Sequence, residues 1–122
     1  MFEYLLYLVV LVVFALVAYI FIERMYPHPL RVTASQAKTI IENGAKVVDV
    51  RTQPEWDMGH HPEAIHLPVS QIQTDAGKLL NTKDHIIVYC NTGTRARAAA
   101  TTLKDMGYQH VKYVAETYHE LV

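Results

Sequence analysis

Residues 2 to 22, FEYLLYLVVLVVFALVAYIFI, form an apolar run with one charge, Glu3, at its edge. Wound as a helix at about 1.5 Å per residue, a segment of this length spans roughly 30 Å, the thickness of a bilayer core. Tyr4, Tyr7, Tyr19 and Tyr26 stand near its two ends, where amphipathic rings prefer the membrane interface. The competing reading is a cleaved signal peptide, which calls for a basic leader, a shorter apolar stretch and a small-residue cleavage site. No Lys or Arg precedes this run, and Glu23-Arg24-Met25-Tyr26-Pro27 follows it; Val13-Phe14-Ala15 is the best cleavage match and a weak one. Length and flanks favour a retained single-pass membrane anchor over residues 1–23 and a linker over 24–32 containing the stiff Pro27-His28-Pro29. One folded domain over 33–122 follows.

Charge sets the expected orientation. All Lys and Arg residues lie beyond the apolar run, with Arg24 and Arg31 nearest, so the positive-inside rule places the domain in the cytoplasm. The periplasmic or other extracytoplasmic side is the alternative, since two arginines carry the signal. Beyond residue 23 the balance is 11 basic to 10 acidic side chains. There is no basic block for nucleic acid and no polybasic cluster for a lipid switch. A single cysteine excludes an internal disulfide and a Cys-rich zinc site, and fits a reduced compartment or a reactive thiol.

After the linker, helices alternate with short apolar runs. Thr33 reads as the N-cap of a helix that carries Ala37, Ile40 and Ile41 and stops at Asn43-Gly44. Lys46 to Val50 is β-branched and reads as a buried strand, and Pro54 opens a helical turn. Residues 59 to 68 form a loop around a short strand at 64 to 66. Ser70 is expected to cap a helical stretch containing Ile72, followed by a second containing Leu79 and Leu80. His85 to Tyr89 is the strongest strand. Ala96, Ala99, Ala100, Leu103 and Met106 then fall on one face of a helix that Gly107 ends. A strand at 111 to 114 and a short helix at 116 to 121 complete an α/β domain on a mostly parallel sheet.

Cys90 lies between the strongest strand and the alanine-rich helix, within VYCNTGTRARAAATTL. In open parallel sheets ligands bind beyond the carboxyl ends of strands, where helix N-termini direct N–H groups outward. Asn91, Thr92, Gly93, Thr94 and Arg95 follow the thiol, and Gly93 permits the positive φ of a tight turn. Such a loop can form an anion-binding nest around the sulfur. Aimed N–H donors, the helix dipole and Arg95 each favour a nucleophilic thiolate. The bland alternative is a cysteine that merely fills the core. A cysteine-type phosphatase or arsenate reductase needs Cys-x5-Arg to wrap a tetrahedral oxyanion. Here Arg95 gives Cys-x4-Arg, a narrower cradle suited to one sulfur carried on the thiolate.

On these residues the chain resembles the single-domain rhodaneses. The likeness rests on Cys90 to Arg95 after an apolar strand, Val48-Asp49-Val50-Arg51, Glu55, Gly59-His60, and Ala64-Ile65-His66-Leu67-Pro68, in that family's order. Asp105-Met106-Gly107-Tyr108 adds a similarity to the small stress-associated rhodaneses of bacterial envelopes. The resemblance covers about residues 33 to 114. It implies a three-layer fold and sulfur transfer from thiosulfate or a persulfide, through a Cys90 persulfide, to an external thiol or cyanide, with no cofactor. The implied alternative is a catalytically weak rhodanese-fold module that docks a protein partner at the membrane. The chain departs from the family at His61, at Pro62-Glu63 for Pro-Gly, at Ala96 for serine, and at Ala115-Glu116 for Gly-Gly. The last of these shapes the pocket mouth and bears on donor choice.

Asp49 and Arg51 sit at a second strand end as possible pocket support, with Arg51 expected to pair with Glu55. His60, His61 and His66 lie on an irregular loop without a carboxylate at helical spacing, so no metal site is expected and His60 is assigned to a backbone bond. Trp56 reads as a packing anchor, Tyr89 as packing under a helix, and Ala98 to Ala100 as a close-packing face.

Overall fold

A computed structural model describes all residues, Met1–Val122. Helix α1, Phe2–Met25, has no buried residue and is long and apolar enough to cross a membrane. Hydrophobic on every side, it is uncovered by its own chain. The remaining elements are α2 (Ala34–Glu42), β1 (Lys46–Asp49), α3 (Gln53–Asp57), β2 (Ala64–His66), α4 (Ile72–Leu79), β3 (His85–Tyr89), α5 (Thr94–Asp105) and β4 (His110–Tyr113). The four strands make one sheet in the order β2-β1-β3-β4, and every pairing is parallel.

Period-2 alternation sorts the strand side chains onto two faces. Val48, Ile86 and Val88 point with Val50 and Cys90 toward Ala76 of α4 and Ala96, Ala99, Ala100 and Leu103 of α5. Val47, Ile87 and Tyr89 point the other way, onto Ala37 of α2, Val114 and Leu121. Both faces of the sheet are covered, which is why these strands read as continuous apolar runs. The small alanines let α5 approach β3 closely. Ala98 of the same run faces solvent, and Met106, expected on the buried face, is 38% exposed because the helix ends at Asp105.

Local signals explain most element starts. Thr33 and Gln36 form a reciprocal capping box at α2, and Thr52 with Glu55 forms another at α3. Helix α3 therefore begins at Gln53, one residue before the proline. Ser70 caps nothing: a 3-10 turn spans Val69–Gln71, and α4 starts at Ile72 with no side-chain cap. The C-terminal helix is also a 3-10 turn, Tyr118–Leu121. Residues Leu30 to Val32 are joined to the sheet. The Val32 N–H donates to the Tyr113 carbonyl at 3.0 Å, and the Tyr113 N–H donates to that of Leu30 at 2.9 Å.

Candidate active site

Cys90 follows the last residue of β3, and α5 begins four positions later, so the thiol lies at the carboxyl end of the sheet under a helix N-terminus. Gly93 is the N-cap of α5 with φ 96°, a left-handed conformation. That turn aims two backbone donors at the sulfur: the Gly93 N–H at 3.1 Å and the Ala96 N–H at 3.4 Å from Sγ. Within the loop 91–95 only Gly93 reaches the sulfur. The second donor lies one residue beyond, at the alanine that replaces the family's serine. Of the amides expected to converge on the sulfur, one does, joined by one from outside the loop.

The cysteine itself is 1% exposed and belongs to the cluster on the α5 face. Its hydrocarbon side is packed as a core residue, while its sulfur accepts two N–H bonds. Gly93 closes the loop against Val114 and Ala115: a Cβ there would lie 2.8 Å from Ala115 Cα. Gly93→Ala carries both a positive φ and this backbone clash. It is expected to cost about 1–3 kcal/mol of stability and to lower any Cys90-dependent transfer at least about tenfold, read by thermal melting and turnover.

Arg95 does not stand free. Its guanidinium grips the Glu55 carboxylate with two bonds, 2.6 and 2.9 Å, and the Asn91 amide donates to the same carboxylate. Glu55 also accepts from the Thr52 N–H and hydroxyl at 3.1 and 2.9 Å. The loop is thus clamped at two points onto α3, across roughly forty residues of sequence. Hydrogen bonds from Arg95, then those from Thr52, hold the Glu55 carboxyl far below the usual carboxylate range despite desolvation. The same pairing holds Arg95 more firmly protonated.

Because the folded-state value of Glu55 is depressed, its contribution is complete above the ordinary carboxylate range. It fades as pH falls below that range and is fully lost once pH has passed through the lowered folded value. Glu55→Gln is therefore expected to be less stable than wild type at pH 7, with the difference shrinking as pH drops below about 4. Urea midpoints measured along a pH series check this.

The expected Arg51–Glu55 pair does not form. Arg51 turns back onto Asp49: its N–H donates to Oδ1 at 2.9 Å, and Nη2 lies 2.8 Å from Oδ2. Asp49, two residues back, holds Arg51 in a local turn, while Glu55 is taken by Arg95. Nη2 also donates to the Gly59 carbonyl at 2.6 Å, and the Tyr89 hydroxyl donates to Asp49 at 2.6 Å while accepting the His61 N–H. Burial and then the Asp49 bond push the Tyr89 phenol well above its usual range, so it remains a donor. Tyr89 faces the α2 side, opposite Cys90.

Two of the loop histidines bond to backbone carbonyls. His60 Nδ1 lies 2.9 Å from the Trp56 carbonyl, His66 Nε2 lies 2.8 Å from that of Arg51, and Trp56 stacks on both rings. The roles of Glu55, the Asn91 amide, the Ala96 N–H and the Tyr89 hydroxyl were not evident in the sequence. Only the Thr52–Glu55 capping spacing hinted at a fixed carboxylate.

Two hollows flank the loop. One of about 310 Å³ is lined by Arg51, Glu55, Gly59, Asn91, Tyr118 and His119. The other, about 190 Å³, is lined by Arg31, Thr92, Gly93, Thr94, Arg97 and Tyr113 with Ala115. A larger hollow of about 430 Å³ lies beside Asn43, Gly44, Lys83 and Asp84, at the amino ends of β1 and β3. Ligands of open parallel sheets bind at the other end.

Comparison with known proteins matches the rhodanese-like domain to residues 33–121. Thiosulfate sulfurtransferase 18 of Arabidopsis thaliana is 34% identical over 100 residues, covering 71% of this chain and 74% of the relative. A putative sulfur carrier protein of Bacillus subtilis is 31% identical over 78 residues, covering 64% of this chain and 42% of that protein. Among solved structures, reduced Bacillus anthracis CoADR-RHD is 27% identical with a TM-score of 0.65, covering 75% of this chain and 16% of that one. A human single-domain sulfurtransferase, 23% identical, superposes with a TM-score of 0.66 over 76% of this chain and 95% of its own, a likeness of fold. The all-parallel sheet, the cysteine at its carboxyl end and the matched span agree: this chain belongs to the rhodanese-like domain family.

Proposed function

We propose that this protein is a membrane-anchored sulfurtransferase with Cys90 as its nucleophile. The observation that carries the reading is the pair of N–H groups, from Gly93 and Ala96, directed at Sγ from the N-terminus of α5. Oriented backbone donors favour negative charge on the atom they face, which is the thiolate sulfur before attack and again after the sulfur is passed on. The Cys90 thiolate attacks the outer sulfur of thiosulfate; the S–S bond breaks and sulfite leaves with the electron pair. An external thiolate then attacks the terminal sulfur of the persulfide, regenerating the Cys90 thiolate and carrying the sulfur away as a new persulfide. The acceptor is external because the chain has one cysteine. Helix α1 supplies the anchor, and Arg24 in its last turn with Arg31 beyond it favours a cytoplasmic domain.

One observation favours a second reading, a rhodanese-fold module that binds a partner without turnover. Cys90 is 1% exposed, and the guanidinium of its own loop, Arg95, is occupied by Glu55. The two readings part in a single experiment. The full chain in detergent is incubated with thiosulfate or an alkyl persulfide, and its intact mass is measured. Sulfur transfer adds about 32 Da, removable by a thiol, as expected of persulfidation. No adduct from either donor supports the binding module.

A further inference from the structure

We propose that Arg31 and Arg97 form the capture site for a doubly charged sulfur oxyanion, thiosulfate being the simplest, beside the Cys90 loop. The proposal rests on the sulfurtransferase reading and names the groups that recognise its donor. A dianion approaching Cys90 needs positive charge. Two arginines at the carboxyl end of the sheet do not offer it: Arg95 is held by Glu55 at 2.6 Å and Arg51 by Asp49 at 2.8 Å. Each of those charges is already matched by a carboxylate.

Arg31 is exposed with no carboxylate within 4.0 Å, and Arg97, half exposed, has only the equally exposed Glu23 at 3.7 Å. The two arginines line the same hollow of about 190 Å³, together with Thr92, Gly93 and Thr94 of the nucleophile's loop. Gly93 in that wall is the residue whose N–H lies 3.1 Å from Sγ. The hollow therefore shares the Gly93 wall with the sulfur cradle.

The position of both charges is built into the fold. Arg31 bridges to Tyr113 at the edge of β4, and Arg97 sits in the first turn of α5. Burial raises the Tyr113 phenol, and the charges of Arg97 and Arg31 both act against that rise. Two guanidiniums on separate elements thus line one hollow together with that ring. Two positive charges suit two negative ones, and neither need be stripped from a strong partner first.

Steady-state kinetics on the full chain in an uncharged detergent test this. Arg31→Gln and Arg97→Gln are surface changes and should fold normally. Each is expected to raise KM for thiosulfate about three- to tenfold, and the double variant more, with kcat unchanged and a weaker salt dependence. A singly charged alkyl persulfide should be affected less. An unchanged thiosulfate KM in the double variant overturns the proposal. So does a difference that appears only in bilayers of anionic lipid, because the pair would then serve phospholipid headgroups. Thiosulfate binding to Cys90→Ser protein, measured by calorimetry, judges the site without turnover. Binding that the Arg31 and Arg97 changes abolish upholds it even if the sulfurtransferase reading fails; absent or unaltered binding overturns it.

Discussion

Cys90→Ser is expected to abolish sulfur uptake from thiosulfate, with transfer falling at least about a thousandfold, the scale seen when a catalytic nucleophile is removed. A serine hydroxyl fits the same space and accepts the same two N–H bonds, so the loop should keep its shape. Its oxygen cannot carry sulfane sulfur, and an alcohol is scarcely ionised near neutral pH. The chain has no second cysteine to receive a displaced adduct. Intact mass and steady-state turnover read the loss, and unchanged Trp56 fluorescence shows that the fold survives. An adduct that persists in the serine variant would place the chemistry elsewhere and sink the mechanism.

The second large effect is on stability. Asp49→Ala should cost about 3–5 kcal/mol, because breaking a buried pair leaves its partner charged and unmatched. Asp49 is fully buried and accepts from the Arg51 backbone and guanidinium and from the Tyr89 hydroxyl. Arg51, 5% exposed, keeps only the Gly59 carbonyl when the carboxylate goes. Burial opposes the charge on Arg51, and the Asp49 bond is what more than restores it. Pairing Asp49→Ala with Arg51→Met removes the orphaned charge and should recover part of the loss. Urea midpoints followed by Trp56 fluorescence measure both; a single-variant cost below about 1 kcal/mol would mean that water satisfies Arg51 instead.

The elements most legible in the sequence are those specified by neighbours along the chain. The β-branched run before Asp49, the HIIVY strand and the Thr33 cap are local signals, and the structure places them within a residue of expectation. Parallel pairing followed from helices alternating with strands. Ser70 misled because proline at position 68 and the tight 3-10 turn at Val69–Gln71 shift the start of α4 past it. Met106 misled because helical periodicity extends a face beyond the point where Gly107, with φ 102°, ends the helix. At the site, the position of Cys90 and the turn at Gly93 were readable from residue type and order. The Glu55–Arg95 clamp and the Asp49–Tyr89 bond were not, since each joins residues forty apart. Only the register of β1 against β3, which sets Asp49 beside Tyr89, brings such partners together.

The short stretch Leu30 to Val32 has a role beyond joining two parts of the chain. By pairing with Tyr113 it occupies the outer rim of β4, where the sheet would otherwise present bare N–H and C=O groups. An open rim of that kind is a template on which other chains can stack and aggregate. Any version of this protein trimmed to shed its greasy helix should therefore be cut before Leu30, because those three residues guard the sheet against self-association.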